Sequence, residues 1–325
     1  MKAIVCRAFG PPSDLKVEDV PSPRSSPGGV AIAIHRAGLN FPDVLIVQGK
    51  YQLKPPFPFS PGAEVSGVVT AVGEKVAAFA PGDRVMALCT TGGFAQEVVA
   101  DQAATFKIPD AMSFDDAAGF AMTYGTTYHA LVDRAKLREG ETLLVTGAGG
   151  GVGIAAVQVG AALGARVIAA AGSKEKRAAA AAAGAHETID YTSENLADRV
   201  KALTADRGAD VVYDPVGGDV FDAALRCIAW EGRLLIIGFA SGRIPEIPAN
   251  RLLLKGCSAV GVFWGAFAGR DPQANRRNFE RLFELYAAGK LPPTIGATYA
   301  LEDAARAIVD LEDRKITGKA LIRVR

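Results

Sequence analysis

Residues 144–153 read LVTGAGGGVG. Gly147 is followed by further glycines at 149, 150, 151 and 153. An apolar run, TLLVTGA, leads into the stretch, and GVGIAAVQVGAALG, with helical character, leads out of it. A flexible linker would not have strand and helix signals abutting it on both sides. The stretch therefore reads as a tight strand-to-helix turn whose backbone comes close to a ligand. In the form A-x-G-x-x-G, Ala148, Gly150 and Gly153 take the small-residue positions, with Gly149, Gly151 and Val152 between them. A helix starting here offers free N–H groups and a positive dipole end, which suits the phosphates of a dinucleotide. Gly153, without a side chain, lets the helix pack against the strand.

Downstream, strand-like and helix-like segments alternate: RVIAAAG and KEKRAAAAAAG, HETIDY and NLADRVKALTAD, ADVVYDPVG and VFDAALRCI, then GRLLIIGF. The strands are continuous apolar runs, as when helices cover both faces of a sheet. The alternation predicts a parallel, doubly wound sheet, and an α/β fold class. The alanine run at 178–183 is a strong helix former between a basic first turn and a stop at Gly184. Upstream, GGVAIAIHRAG, EVSGVVTAVG, DRVMAL and GGFAQEVVA are short segments divided by Gly, Pro and Asp, which predicts a small, irregular β domain. SPRSSPGG and LKPPFPFSPG must be turns or loops, because proline lacks the donor a central strand needs. Near residue 113 the character changes, and SFDDAAGFAMTYGTTYHALVDRAKL predicts a helix with Ser113 as its N-cap. In the tail, NRRNFERLFELYAAGKL and LEDAARAIVDLEDRK predict amphipathic helices, and GKALIRVR a closing strand that returns to the first domain.

The chain has 325 residues, 49% hydrophobic and 22% charged, with a formal net charge of +1, which predicts two domains with buried cores. Basic and acidic residues are interspersed, so no footprint for nucleic acid or an anionic membrane is present. No apolar stretch reaches membrane-spanning length, and MKAIVCRAFG lacks a signal peptide's apolar core, so a cytoplasmic protein is expected. Cys6, Cys89, Cys227 and Cys257 are far apart with no metal-ligand spacing, and read as reduced thiols.

An NAD site places an acid about 20 residues beyond the glycine turn, at the end of the second strand. Here that strand end is AAAGSKEKR, whose tip, Ala171, Gly172 and Ser173, holds no acid. Lys174, Lys176 and Arg177 follow, with one Glu175 among them. Basic residues oppose the dipole at a helix start, and a 2′-phosphate would offset them, so NADPH is expected over NADH.

GLNFPDVLIVQGKY (38–51), PFSPGAEVSGVVTAVG (58–73), GDRV (82–85), GGFAQEVVA (92–100), MTYGTTYHAL (122–131), the glycine turn and ITGKALIRV (316–324) span essentially the whole chain. Through them the sequence resembles the zinc-free quinone oxidoreductase, or ζ-crystallin-like, branch of the medium-chain dehydrogenase/reductase superfamily. The resemblance implies a GroES-like substrate domain from residues 1–121 and 266–325, and an inserted Rossmann domain from 122–265, with the active site in the cleft between them. In the zinc alcohol dehydrogenases of that superfamily a Cys and a His stand where this chain looks to have Asn40 and Ala63, with Glu64 alongside. The four-cysteine lobe is missing too, so no metal is expected.

Asn40 and Tyr51 are the catalytic candidates, since the matching positions line the nicotinamide and substrate cleft in the resembling reductases. A phenol at Tyr51 would hydrogen-bond or protonate an enolate, or only shape the cleft. Asp43 reads as a cap of the 41–48 helix. Where many quinone reductases of this kind carry a second Tyr, this chain has Leu45. The cofactor-binding candidates are Thr123, Ala148, Gly149, Gly150, Gly151, Val152, Gly153, Ser173, Lys176, Arg177, Tyr191, Phe239, Phe263 and Lys319. Trp264 reads as core, dimer contact or site border, and His129 as structural. Arg270, Arg276 and Arg277 could form a basic patch for a CoA thioester. The implied function is NADPH-dependent hydride transfer to a quinone or an α,β-unsaturated carbonyl without zinc, by a homodimer joined through sheet edges around 252–264. Two alternatives are an enoyl-thioester (acyl-CoA) reductase and a non-catalytic NADPH-binding protein.

Overall fold

The computed structural model describes residues 1–325 and divides them into two compact units, Met1–Met122 with Pro293–Arg325, and Thr123–Pro292. In chain order, the first unit begins with β1 (Lys2–Val5), β2 (Lys16–Asp19), β3 (Gly29–Leu39) and α1 (Phe41–Val47). It continues through β4 (Glu64–Val72), β5 (Arg84–Leu88), β6 (Glu97–Asp101), β7 (Thr105–Lys107) and α2 (Phe114–Ala118). The second unit holds α3 (Ala121–Tyr128) from its third residue on, then β8 (Thr142–Thr146), α4 (Gly151–Ala162), β9 (Arg166–Ala170), α5 (Lys174–Ala182) and β10 (Glu187–Ile189). After these come α6 (Leu196–Leu203), β11 (Ala209–Asp214), α7 (Gly218–Arg226), β12 (Ile228–Ile236), α8 (Ala249–Lys255) and β13 (Ser258–Gly261). It closes with α9 (Trp264–Arg270) and α10 (Pro272–Ala287). The chain then returns to the first unit with β14 (Ile295–Ala300), α11 (Ala304–Glu312) and β15 (Lys319–Arg323).

The first unit is a seven-stranded sheet in the order β14-β15-β3-β4-β5-β7, with β6 also on β3, and a separate β1–β2 ribbon. As its sequence suggests, the closing strand β15 does return here, antiparallel to β3 with Ala320 opposite Leu39. The second unit carries a six-stranded parallel sheet, β10-β9-β8-β11-β12-β13. The expected alternation accounts for five of these strands, and β13 adds the sixth at an edge. Every residue of β8 is buried, in keeping with helices on both faces. The strand order reverses between β8 and β11, which opens a crevice at their C-terminal ends.

Two features differ from the sequence reading. The helix predicted beyond Ser113 is broken: Ser113 caps only α2, accepting a hydrogen bond from the Asp116 N–H at 3.0 Å, and α3 begins after Gly119 and Phe120. Gly119 lies so close to Ile295 and Lys319 that an added Cβ would meet their side chains at 3.0 and 3.3 Å. Beyond α3 the winding loosens into a π-helical stretch, His129–Arg134. The insertion also differs at its far end, where residues 266–292 cluster with the second unit instead of leaving it after 265. The reason is packing. Buried Phe279 of α10 lies against Trp264, and both rings press on Gly125 of α3.

No helix is long and apolar enough to cross a membrane. All four cysteines are free, with Cys6, Cys227 and Cys257 buried and Cys89 partly so. Burial raises each thiol pKa, that of Cys89 and of Cys227 to about 12.

Phe279→Ala, by deleting a fully buried ring at this junction, should cost about 3–5 kcal/mol in denaturant unfolding. A loss below about 1 kcal/mol would show that α10 is not part of the second core.

Candidate functional site

In the second unit the glycine turn follows β8 directly. Gly147 has a φ of +57°. The Gly150 N–H donates to the Gly147 carbonyl at 3.0 Å, and α4 starts at Gly151. Two approaches explain the glycines: a Cβ on Gly153 would lie 2.2 Å from the Gly147 carbonyl oxygen, and one on Gly149 would lie 2.3 Å from the Lys176 Cβ. Gly150, the N-cap, offers no side-chain bond to the helix, and nothing lies nearer its missing Cβ than 3.6 Å. The start of this 12-residue helix thus has no side-chain cap and no close contact at its N-cap, a cradle whose donors suit an anion. The turn fits the pyrophosphate of a dinucleotide.

The Gly149 contact brings Lys176 to the turn, and the Tyr191 ring lies beside Gly172. Tyr191 itself stands two residues past the end of β10. The other tip residues are engaged elsewhere. Ser173 is the N-cap of α5, its hydroxyl accepting the Lys176 N–H at 3.3 Å. Arg177 is ion-paired with Asp190 at 2.6 Å. Asp190 was missed in the sequence, although an acid at the end of HETIDY was a visible signal.

Thr146 and Asp214, at the ends of β8 and β11, are buried and hydrogen-bonded to each other across the point where the strand order reverses. The Asp214 carboxylate also accepts the Gly217 N–H at 2.9 Å and the Val216 N–H at 3.3 Å, and burial raises its pKa. Two α3 hydroxyls are engaged: Tyr124 donates to Gln158 Oε1 at 2.5 Å, and Thr127 lies 3.1 Å from the Tyr213 hydroxyl. Thr123 is buried. Phe239 is partly exposed beside Gly217, and Phe263 is exposed just before α9. Trp264 is core, its indole donating to Asn275 Oδ1 at 3.0 Å. His129 is also structural: it is buried, stacked on Phe267 and 2.7 Å from Asp133.

In the first unit, four buried polar residues converge. Asn40 precedes α1, and its backbone N–H donates to Asp43 Oδ2 at 2.8 Å, so Asp43 does cap that helix start. The Asn40 amide nitrogen donates to Glu64 Oε2 at 3.0 Å and to the Gly38 carbonyl at 3.3 Å. Its oxygen accepts from Lys319 Nζ at 2.5 Å. Lys319 Nζ also donates to Glu64 Oε2 at 2.7 Å, and Glu64 Oε1 accepts the Met122 N–H at 2.7 Å. Lys319 therefore lies with Asn40 and Glu64. Glu64 has a role the sequence reading did not give it, although an acid heading an apolar strand was a signal. No three His, Cys, Asp or Glu side chains converge as metal ligands. Burial pushes the Asp43 pKa up to about 7. Half-buried Tyr51 packs on the core of this unit, and burial, then the charge of Asp43, raises its phenol pKa.

Known proteins share this architecture. Residues 26–110 match the family described as alcohol dehydrogenase GroES-like domain, and residues 151–287 match zinc-binding dehydrogenase. A quinone oxidoreductase-like protein 2 homolog of Nematostella vectensis is 46% identical over 328 residues, covering 100% of this chain and 89% of its own. A mycobacterial protein solved in complex with NADPH is 32% identical, with a TM-score of 0.94 and complete coverage of both chains. The Escherichia coli quinone oxidoreductase, also in complex with NADPH, is 28% identical, with a TM-score of 0.92 and complete coverage of both.

Asp43 should make stability fall with pH. Between its ordinary pKa of 3.8 and about 7, the folded chain keeps a proton that the unfolded chain has released. Stability is fullest below that window and is lost as pH rises through it, by a few kcal/mol at most. Asp43→Asn should flatten the fall in melting temperature between about pH 4.5 and 7.5. Parallel curves for both proteins would show that Asp43 titrates normally.

Proposed function

Because the chain belongs to the quinone oxidoreductase-like branch of the medium-chain dehydrogenase/reductase superfamily, we propose that it is an NADPH-dependent reductase. It delivers a hydride to a quinone or an α,β-unsaturated carbonyl, without zinc. The observation that carries this reading is the uncapped start of α4, packed through Gly149 against Lys176. Two solved relatives that bind NADPH support the choice of cofactor. A zinc ion does not suit the donor set: Asn40 and Ala63 fill the ligand positions implied by resemblance, and an ammonium lies 2.7 Å from Glu64.

NADPH supplies the hydride when bound. The N–H groups of Gly151, Val152 and Gly153 would hold its pyrophosphate, with Ala148 and Gly150 permitting the approach. Lys176 would meet the 2′-phosphate, while Ser173 and Tyr191 border the adenosine. Arg177 contributes less, because Asp190 already neutralises it. Thr123, Phe239 and Phe263 would border the nicotinamide. Tyr51 keeps its proton, so its phenol can donate a hydrogen bond to the oxyanion that hydride addition creates. A hydroquinone takes its protons from water and needs no stronger acid.

We further read the setting as cytoplasmic and the assembly as a homodimer. The outer edge of β13 is unpaired. Beside it, Trp230 is 67% exposed, Leu253 80% and Leu254 71%, an apolar surface that a second copy pairing edge to edge would cover. Leu253→Glu with Leu254→Glu should shift sedimentation from dimer to monomer. A wild type that sediments as a monomer would end this reading.

NADPH oxidation, followed by absorbance with an ortho-quinone, a simple enone and crotonyl-CoA, tests the activity, with NADH as control. Lys176→Glu should weaken NADPH by about tenfold or more while leaving NADH within about threefold. Equal weakening of both would remove the 2′-phosphate assignment. Binding of NADPH without turnover of any acceptor would make the chain a binding module.

A further inference from the structure

Asn40 is held from every side. Its backbone N–H is taken by Asp43, both hydrogens of its amide nitrogen by Glu64 and the Gly38 carbonyl, and its oxygen faces Lys319. Asn40, Glu64, Asp43 and Lys319 are all buried. The partners lie on separate elements: Glu64 opens β4, Lys319 opens β15, and Asn40 precedes α1. The opposite flip of the amide would turn NH₂ toward an ammonium and the oxygen toward a carboxylate and a carbonyl. Two fixed charges of opposite sign thus permit one orientation. Burying an ion pair is a poor route to stability, since apolar side chains of similar volume do as well or better. A local geometry that apolar residues could not specify is what such a pair supplies.

We propose that Lys319 and Glu64 are positioning residues that lock the Asn40 amide with both N–H bonds turned inward. The amide can then meet a ligand only as a hydrogen-bond acceptor, through its oxygen. It follows that Asn40 does not supply a donor to the oxyanion formed on reduction, and that this task falls to Tyr51. This rests on the proposed reductase function, with Asn40 lining the nicotinamide and substrate cleft as the resemblance implies. It also moves Lys319 from cofactor ligand to brace.

The test uses the full-length protein. In the wild type, labelled with ¹⁵N-asparagine, the two Asn40 side-chain protons should give separate resonances that exchange slowly with water, with or without NADPH. In the Lys319→Met, Glu64→Gln double variant, which removes both charges together, they should lose that protection. The double variant should melt within about 5 °C of wild type. It should bind NADPH within about threefold by fluorescence titration. Its kcat should fall by about tenfold to a hundredfold with KM for the quinone little changed. Should it fail to fold, Glu64→Gln alone, nearly isosteric, carries the same expectations. A folded variant with kcat within about twofold of wild type, or with Asn40 still protected, overturns the proposal. A wild type that turns over no acceptor defeats the reductase reading instead, and the Asn40 resonances still decide whether the brace exists.

Discussion

A single buried carboxylate, Glu64, ties together stretches of the first unit that are remote in sequence. One oxygen accepts from Asn40 and Lys319, the other from the Met122 backbone, so the head of β4, the closing strand and the entry to α3 share one point of attachment. Lys319 is separated from Glu64 by 255 positions in sequence. This bond therefore commits the end of the chain to the sheet made by its beginning. Strand pairing repeats that commitment along the backbone, where β15 lies against β3. The charge pair adds a fixed point to a register that the burial of β15 already favours.

The second unit has a counterpart in Asp214. Its carboxylate gathers the Thr146 hydroxyl and two backbone N–H groups at the mouth of the parallel sheet. It holds the ends of β8 and β11 where their outgoing loops diverge. The glycine turn depends on that fixed start. Its close approaches, Gly153 on Gly147 and Gly149 on Lys176, leave no room for a drifting strand end.

Much of this was legible in the residues. The turn could be read because strand and helix signals touch it directly, and the alanine run could be read as a helix because its stop was visible: α5 ends at Ala182, two residues before Gly184, whose φ is +109°. Features decided by distant neighbours were not legible. At the break, Gly119 stands where a side chain would crowd Ile295 and Lys319, and the second unit extends to 292 where Phe279 meets Gly125. Glu64, Asp190 and Asp214 were visible as acids among apolar strands, but an acid does not announce its partner. Lys319, Arg177 and Thr146 become partners only when the chain is folded.

The burial of the four cysteines has a consequence for chemical self-protection. Quinones and enones are electrophiles that arylate or alkylate sulfur, and the thiolate is the form that attacks them. With every thiol pKa raised, and two of them near 12, this chain holds its sulfurs in the unreactive form at neutral pH. A protein that handled such acceptors would present them with a hydride donor and few thiolates to compete with it.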